Sequence, residues 1–539
     1  MGFRFDMVGR NARQSELFTC VRGSAFFGSD VAKPQDLLEY FDRVKSEDDF
    51  RSAVASLNGY FAVICKRDSK LFAAVDRARS IPLFYGCSGN QLHMSDDASR
   101  IRASLNRFQD SQLARDEFCM TGYVTGSDTL YNDVKQLRAG ELLVAEMKRG
   151  NLDVRVERYY DFIRKHDFYT PDVQCLSAKF DDVLMRSFER LVALANGRTI
   201  VVPLSGGWDS RLVVLMLRRL GYDNMIAFTY GRPGNLESEI SRKVARSLGI
   251  EWYLVPYSNE AWRNWFWSEY RVSYFAMAHN GVSHPHIQDW PAVWELKNRE
   301  VIPDDAVFVP GHIGDFLAGS TGITGNLMNE HGVQVEDVVE QVYEGHYFLT
   351  QHAFVGQDAE EVSRKRIATQ LGVSSGFLTP DEAAGLYKKW VWQERQAKFI
   401  VNSVRVYEFW GYDWWLPLGD LDMRDFWLRV PLGLRINKRL YVECIKELAS
   451  SMLGSEHEEF QRTERDTMHS RMKNATKRTP FMRAARWLYR KFKKAMEYEK
   501  HPMAWYGVMS KDTFLRYYHE GYVSIDMYLV LYEMDLIDL

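Results

Sequence analysis

The rhythm of apolar and polar positions changes near residue 160. Before it, short apolar runs bounded by turn formers, such as residues 60–65 (YFAVIC) and 71–75 (LFAAV), predict a mainly β region. Residues 161–174 are polar and read as a linker. From 175 to 196 apolar residues return at helical spacing (Leu176, Phe180, Val183, Leu184, Phe188, Leu191, Val192) and predict a helix. Strands and helices then alternate. Residues 199–204 (TIVVPL), 224–230 (NMIAFTY) and 251–256 (EWYLVP) predict strands; 209–220 and 237–248 predict helices, the second ended by Gly249. That alternation means βαβ units and a parallel sheet buried on both faces. Residues 306–310 (AVFVP) predict one more strand, and from about residue 330 the chain reads as helical to its end.

Composition narrows the class. Of 539 residues, 46% are hydrophobic and 26% charged, which excludes a mostly disordered chain. No apolar run approaches the roughly 20 residues of a membrane helix, and the start, MGFRFDMVGRNARQSE, has no apolar signal-peptide core. The expectation is a soluble, cytoplasmic protein. A net charge of −3 speaks against a nucleic-acid partner. The six cysteines (Cys20, Cys65, Cys87, Cys119, Cys175 and Cys444) have no C-x-x-C spacing, so neither a zinc site nor a disulfide framework is indicated. The segment 473–494 carries nine Lys or Arg among Phe481, Trp487, Leu488, Tyr489 and Phe492. It reads as a solvated basic helix face or as a weak contact for an anionic carrier or membrane surface.

The strongest local signal is Ser205, Gly206, Gly207, Trp208, Asp209 and Ser210 (SGGWDS), set between a strand and a helix. Two glycines let the backbone turn tightly around an anion, and the helix that follows directs free N–H groups and its positive dipole end at the same point. Asp209 would repel a bare phosphate, so its carboxylate fits a shared magnesium ion. The loop lacks the G-K-[ST] ending of a Walker A loop.

SGGWDS resembles the S-G-G-x-D-S pyrophosphate loop of the ATP-pyrophosphatases, and the following FTYG and ESEISRKVARSLG are similar to the matching region of asparagine synthetase. Gly311 to Gly319 (GHIGDFLAG) resembles its G-E-G-S-D-E-x-x-G stretch. The resemblance implies ATP and Mg2+ as cofactors, with Leu204, Ser205, Gly206, Gly207, Asp209, Ser210, Phe228, Tyr230 and Gly311 around the nucleotide. It implies Asp209 and Asp315 as metal ligands. Where the family has its first Glu, this chain has His312. The family stretch E-x-x-x-P-x-x-D matches residues 413–420 (DWWLPLGD), which puts Asp413 in place of the second Glu. A His312–Asp413 dyad is expected to deprotonate the attacking amine; the alternative has His312 positioning substrate and Asp413 in a structural salt bridge. Lys477, with Lys473 next, is the candidate for the family's acyl-transfer lysine.

The amino-terminal region resembles the glutaminase domain of the same family, through LNGYFA (57–62), DRARSIPLFY (76–85) and the strands around Thr129, Tyr131 and Leu137 to Glu141. The family's nucleophilic Cys is replaced by Gly2, which cannot attack an amide. Asn58 and Gly59 stand where oxyanion donors are expected. This pattern is similar to that of the β-lactam synthetases, lasso-peptide cyclases and asparagine-synthase-like proteins of polysaccharide pathways.

The expected architecture is therefore α/β: a degenerate glutaminase-like αββα sandwich over 1–160, a parallel-sheet adenine-nucleotide α-hydrolase-like (PP-loop) domain over 175–440, and a helical extension over 441–539. The expected activity is an ATP- and Mg-dependent amide-forming ligase. It would adenylate a small-molecule, sugar-acid or peptide carboxylate with pyrophosphate release and pass the acyl group to an amine or ammonia, without glutaminase activity. The alternatives are an intramolecular cyclase, a non-catalytic nucleotide-binding protein and a tRNA-thiolating pyrophosphatase.

Overall fold

The computed structural model describes residues 2–106, 109–163, 167–319, 332–347, 349, 358–373, 375–454, 460 and 496–519. The amino-terminal region holds eleven strands among the described residues: β1 (Phe3–Phe5), β2 (Arg13–Gln14), β3 (Thr19–Phe27), β4 (Asp30–Ala32), β5 (Asn58–Arg67), β6 (Lys70–Val75), β7 (Phe84–Ser88), β8 (Gln91–Ser95), β9 (Lys135–Gln136), β10 (Glu141–Lys148) and β11 (Asn151–Arg158). They form a four-stranded sheet, β1-β8-β7-β9, and a larger one, β11-β10-β6-β5-β3-β2, with β4 on β3.

Alternation along the central strands dictates three apolar layers. Ala62 and Ile64 of β5, with Leu92 and Met94 of β8, fill the space between the sheets. Phe61, Val63 and Cys65 point the other way, against α1 (Pro34–Asp42) and α2 (Glu47–Ser56). The small sheet carries α3 (Ala98–Leu105) through Phe84, Ile101 and Leu105. The result is the expected αββα sandwich; α4 (Gln112–Thr121) follows it. The helices are the part that alternation alone does not predict.

Helix α5 (Val173–Ala195) begins at Asp172, whose carboxylate accepts from the Cys175 amide, and ends at Asn196 in the left-handed region. A five-stranded, all-parallel sheet then takes the order β14-β13-β12-β15-β18. Its strands are β12 (Ile200–Pro203), β13 (Met225–Gly231), β14 (Glu251–Pro256), β15 (Val307–Phe308) and β18 (Asp413–Trp414). Helices α6 (Trp208–Arg219) and α7 (Leu236–Ser247) make the first two crossovers, and α8 (Asn259–Phe266), α9 (Glu269–His279) and α10 (Trp290–Asn298) lead to β15. Strand order reverses between β12 and β15, so their carboxyl ends flank a topological switch point, where open α/β sheets bind ligands.

The region beyond residue 330 departs from the all-helical expectation. After α11 (Gly314–Gly319), β16 (Val333–Gln334) pairs antiparallel with β17 (Phe377–Leu378), and β18 adds the fifth strand of the parallel sheet. Two-residue strands are too short to show a period. Between them lie α12 (Val335–His346), α13 (Ala359–Leu371) and α14 (Pro380–Val391), a π-helix over Trp392–Ile400, and α15 (Arg405–Phe409); α16 (Leu421–Arg429), α17 (Leu432–Arg435) and α18 (Arg439–Leu453) follow. Among the described residues no helix is long and apolar enough to cross a membrane.

The sandwich and the parallel-sheet region share one core and two polar knots. Phe26 and Tyr60 belong to the same apolar cluster as Trp415 and Leu416, and the Tyr60 hydroxyl donates to the Leu416 carbonyl at 2.6 Å. Buried Asp420 accepts from both Arg190 nitrogens (2.8 and 2.7 Å) and from the Asn58 amide (3.1 Å), while Asn58 Oδ1 accepts from the Leu421 amide. Arg22 of β3, also buried, pairs with Asp96 at 2.8 Å and with Glu408 of α15. Removing one partner of a buried ion pair strands the others. Arg22→Ala is therefore expected to lower stability by about 3–5 kcal/mol, read as an earlier chemical-denaturation midpoint.

Candidate functional site

The loop after β12 is closed by its own side chains. Ser205 Oγ accepts from the Gly207 amide at 3.1 Å and lies 3.1 Å from Ser210 Oγ, which also accepts from the Ser205 amide. Leu204 is pinned to β13: its amide donates to the Phe228 carbonyl at 2.8 Å, and its carbonyl accepts from the Thr229 hydroxyl. Gly207, as the N-cap of α6, offers no side chain to the first amides of the helix. Those amides and the dipole end are thus free for an anion. Arg211 donates to the Gly206 carbonyl at 2.6 Å and lies over the Trp208 ring, fixing the back of the loop.

The loop after β15 docks directly on this turn. A Cβ on Gly311 would stand 2.5 Å from the Ser210 amide nitrogen, and one on Gly314 would meet Asp209 Oδ2 at 2.9 Å. Only glycine permits that approach. Asp209 Oδ2 accepts from the Asp315 amide at 2.8 Å, and Oδ1 accepts from the Tyr441 hydroxyl at 2.9 Å. Lys438 Nζ stands 3.4 Å from Asp315 Oδ2. Lys438 and Asn437 both adopt left-handed backbone conformations (φ 59 and 55) just before α18. Two such non-glycine residues in a row are costly and cluster where structure holds a side chain for a purpose. Neither Tyr441 nor Lys438 was singled out in the sequence, because nothing in the linear pattern connects α18 to residues 209 and 315.

Burial and the neighbouring Asp315 push the Asp209 carboxyl up to about 7. Lys438 supplies one positive charge to this carboxylate pair, and a divalent cation would supply the rest. Among the described residues no group of three or more His, Cys, Asp or Glu side chains is placed to hold a metal. Asp209 and Asp315 fit an ion that draws its other ligands from phosphates and water, as Mg2+ does.

Other expected residues fare differently. The Phe228 and Leu204 side chains are fully buried in the core, and both support the loop from beneath. Tyr230, at the end of β13, is half-buried and stacks on Tyr257 at 5.4 Å. The His312–Asp413 dyad does not form. His312 follows the carboxyl end of β15, with Nε2 2.8 Å from Ser403 Oγ. Asp413 is in register with Val307 and pairs with Arg198, which precedes β12, at 2.7 Å. It lies at the amino end of the sheet, on the wall of a cavity of about 490 Å³ shared with Arg10, Arg22 and Glu408. There it forms salt bridges with Arg198 and, at 3.7 Å, with Arg10. Lys477, Lys473 and the whole 473–494 segment lie outside the described residues.

Two family models match the chain: a glutamine amidotransferase domain over residues 48–160 and asparagine synthase over residues 179–266. A probable glutamine-hydrolysing asparagine synthetase of Acanthamoeba polyphaga mimivirus is 24% identical over 219 residues, covering 39% of this chain. The chain spans about a third of that relative's length, 36%. Among solved structures, the NH3-dependent NAD synthetase of Campylobacter jejuni is 15% identical, over 41% of this chain and 94% of its own, with a TM-score of 0.21. The glutamine phosphoribosylpyrophosphate amidotransferase of B. subtilis, in complex with ADP and GMP, is 11% identical, over 45% of this chain and 71% of its own, with a TM-score of 0.19.

A carboxyl whose pKa rises on folding favours the folded state at low pH and loses that contribution as pH climbs through the raised value. Ionised Asp209 therefore costs stability above about pH 7 in the metal-free protein. Asp209→Asn is expected to raise the melting temperature at pH 8 while abolishing Mg-dependent nucleotide binding, both measurable by thermal shift with and without Mg·ATP. Gly311→Ala is expected to abolish nucleotide binding with little change in the far-UV circular dichroism.

Proposed function

We propose, from the two family models and the asparagine synthetase relative, that the chain is an asparagine synthetase-like, ATP-dependent carbon–nitrogen ligase that forms AMP and pyrophosphate. The observation that carries this reading is the meeting of two loops at the switch point, with phosphate-ready amides on one and the Asp209–Asp315 pair between them. ATP lies with its β- and γ-phosphates on the uncapped amides of the first turn of α6. Bound between Asp209 and Asp315, Mg2+ would neutralise phosphate charge. Lys438 adds a fixed positive charge on the same side.

A substrate carboxylate, of a small acid, a sugar acid or a peptide, attacks the α-phosphorus, giving an acyl-adenylate and pyrophosphate. An amine or ammonia then displaces AMP. The protein contributes chiefly position and charge.

The amino-terminal sandwich acts here as a scaffold. Burial pushes the thiols of Cys20 and Cys65 up to about 12, so neither supplies a thiolate at neutral pH. Asn58 has both ends of its amide bound to Asp420 and Leu421, and so holds the two regions together. The nitrogen then comes from free ammonia or from an amine carried by a substrate.

The test is pyrophosphate release from Mg·ATP with a panel of amino acids, uronic acids and peptides. Release that depends on one acid and vanishes in Asp209→Ala supports the reading; no release with any acid, despite ATP binding, overturns it. With that acid, Lys438→Gln is expected to slow release by about 100-fold, with Lys438→Arg retaining part of it.

A further inference from the structure

With Asp413 at the far end of the sheet, the amine-deprotonating group has to come from elsewhere. Resting on the ligase reading above, we infer that His286, at ion-pair distance from the buried carboxylate of Asp289, accepts the proton of the attacking amine.

Residues 284–289 run between α9 and α10. Two tyrosines fix their backbone: the Tyr274 hydroxyl donates to the His286 carbonyl at 2.6 Å, and the Tyr257 hydroxyl donates to the Gln288 carbonyl at 2.7 Å. Tyr257 directly follows β14 and stacks on Tyr230 at the end of β13, so the segment lies at the carboxyl end of the sheet, the end that carries the phosphate loop. His286 Nε2 stands 3.2 Å from Asp289 Oδ1, and the Tyr407 hydroxyl donates to Asp289 Oδ2 at 2.7 Å. Asp289 is 4% exposed. Burial works to raise its pKa, yet His286, the Tyr407 hydroxyl and His312 hold the carboxyl below its ordinary value. The 3.2 Å contact is an ion-pair distance without a hydrogen bond, so the buried anionic carboxylate acts on the imidazole through its charge.

The neighbouring imidazoles are unsuited to that work. Burial, with His286 nearby, pushes His312 down to about 4. Burial, with His286 and Arg395 nearby, pushes His284 down to about 3. Both are neutral near pH 7 and too weakly basic to take a proton from an ammonium group. The groups around His286 are thus His284 on its own segment, Asp289 at the start of α10, His312 in the loop after β15 and Tyr407 from α15.

In the step, His286 takes a proton from the ammonium nitrogen, and the lone pair so freed forms the C–N bond at the acyl carbon. The bond from that carbon to the phosphate-bearing oxygen breaks, AMP leaves with its electron pair, and the surplus proton on the new amide nitrogen passes to solvent. His286 is the catalytic group; Asp289 is a positioning residue.

The acid found by pyrophosphate release is offered two nucleophiles, ammonium chloride and hydroxylamine, the second uncharged at neutral pH and in no need of a base. His286→Gln is expected to keep pyrophosphate release and hydroxamate formation within about twofold while amide formation falls about 100-fold. Asp289→Asn should show the same split. Asp289→Glu should restore part of the rate. Amide formation undiminished in His286→Gln, or equal loss of amide and hydroxamate, overturns the inference and leaves the ligase reading standing. Absence of pyrophosphate release in the unaltered protein sinks the ligase reading, and this inference with it. If Asp289→Asn fails to fold, His286→Gln alone decides.

Discussion

The hydrogen bond from the Asp315 amide to the Asp209 carboxylate, at 2.8 Å, is the contact on which the chemistry-bearing end of the molecule depends. It joins two loops that leave neighbouring parallel strands but are separated by more than a hundred residues of chain. The joint can close only because Gly311 and Gly314 present no side chain to the start of α6. Once closed, it brings Asp315 beside Asp209, where burial and the second carboxylate make ionisation of Asp209 unfavourable. Tyr441 and Lys438, from the first turn of α18 and the strained turn before it, complete the same joint. The loops, the metal-ready acids and the cationic neighbour are therefore one mechanical unit.

That unit rests on a sandwich made rigid by the contact between its two regions. Asn58, in the LNG stretch that suggested an oxyanion donor, meets Asp420, the last residue of the stretch that suggested a catalytic carboxylate. Arg190 holds Asp420 from α5 with two hydrogen bonds, and Arg22 ties β3 and Asp96 to Glu408. Arg22, Asp96, Arg190 and Asp420 are buried, so each is costly unless all its partners stay in place. Residues that resemble parts of a second active site here fix β18, α15 and α16 relative to the phosphate loop.

Parallel strands have two chemically different ends, and this decides which acid meets which base. Asp413 begins β18 and so falls beside Arg198 at the amino end. His312 follows β15 and falls at the carboxyl end. β12 alone, at four residues, spans about 13 Å. Asp289 reaches the correct end because it lies after β14 on the way to α10 and is locked there by Tyr407. Motif matching aligned residue types along the chain; the sheet sorted them by end.

The sequence by itself determined the parallel-sheet architecture and the phosphate loop, which follow from local regularities: apolar runs alternating with helical spacing, and glycines between a strand and a helix. The αββα sandwich and the pairing of Asp209 with Asp315 were implied by the resemblance to asparagine synthetase and not by any local period. The sequence also carried the left-handed turn before α18, the strand at residues 413–414 and the 286–289 pair, but in no readable form, because a two-residue strand has no period and a His three residues from an Asp is common on any surface. Only the tertiary structure decided that Lys438 and Tyr441 face Asp315 and Asp209, that Phe228 lies beneath the site, and that Asp289, not Asp413, stands behind an imidazole. Those outcomes depend on contacts between residues far apart in sequence, whose energies come from burial and charge created only when the chain has closed on itself.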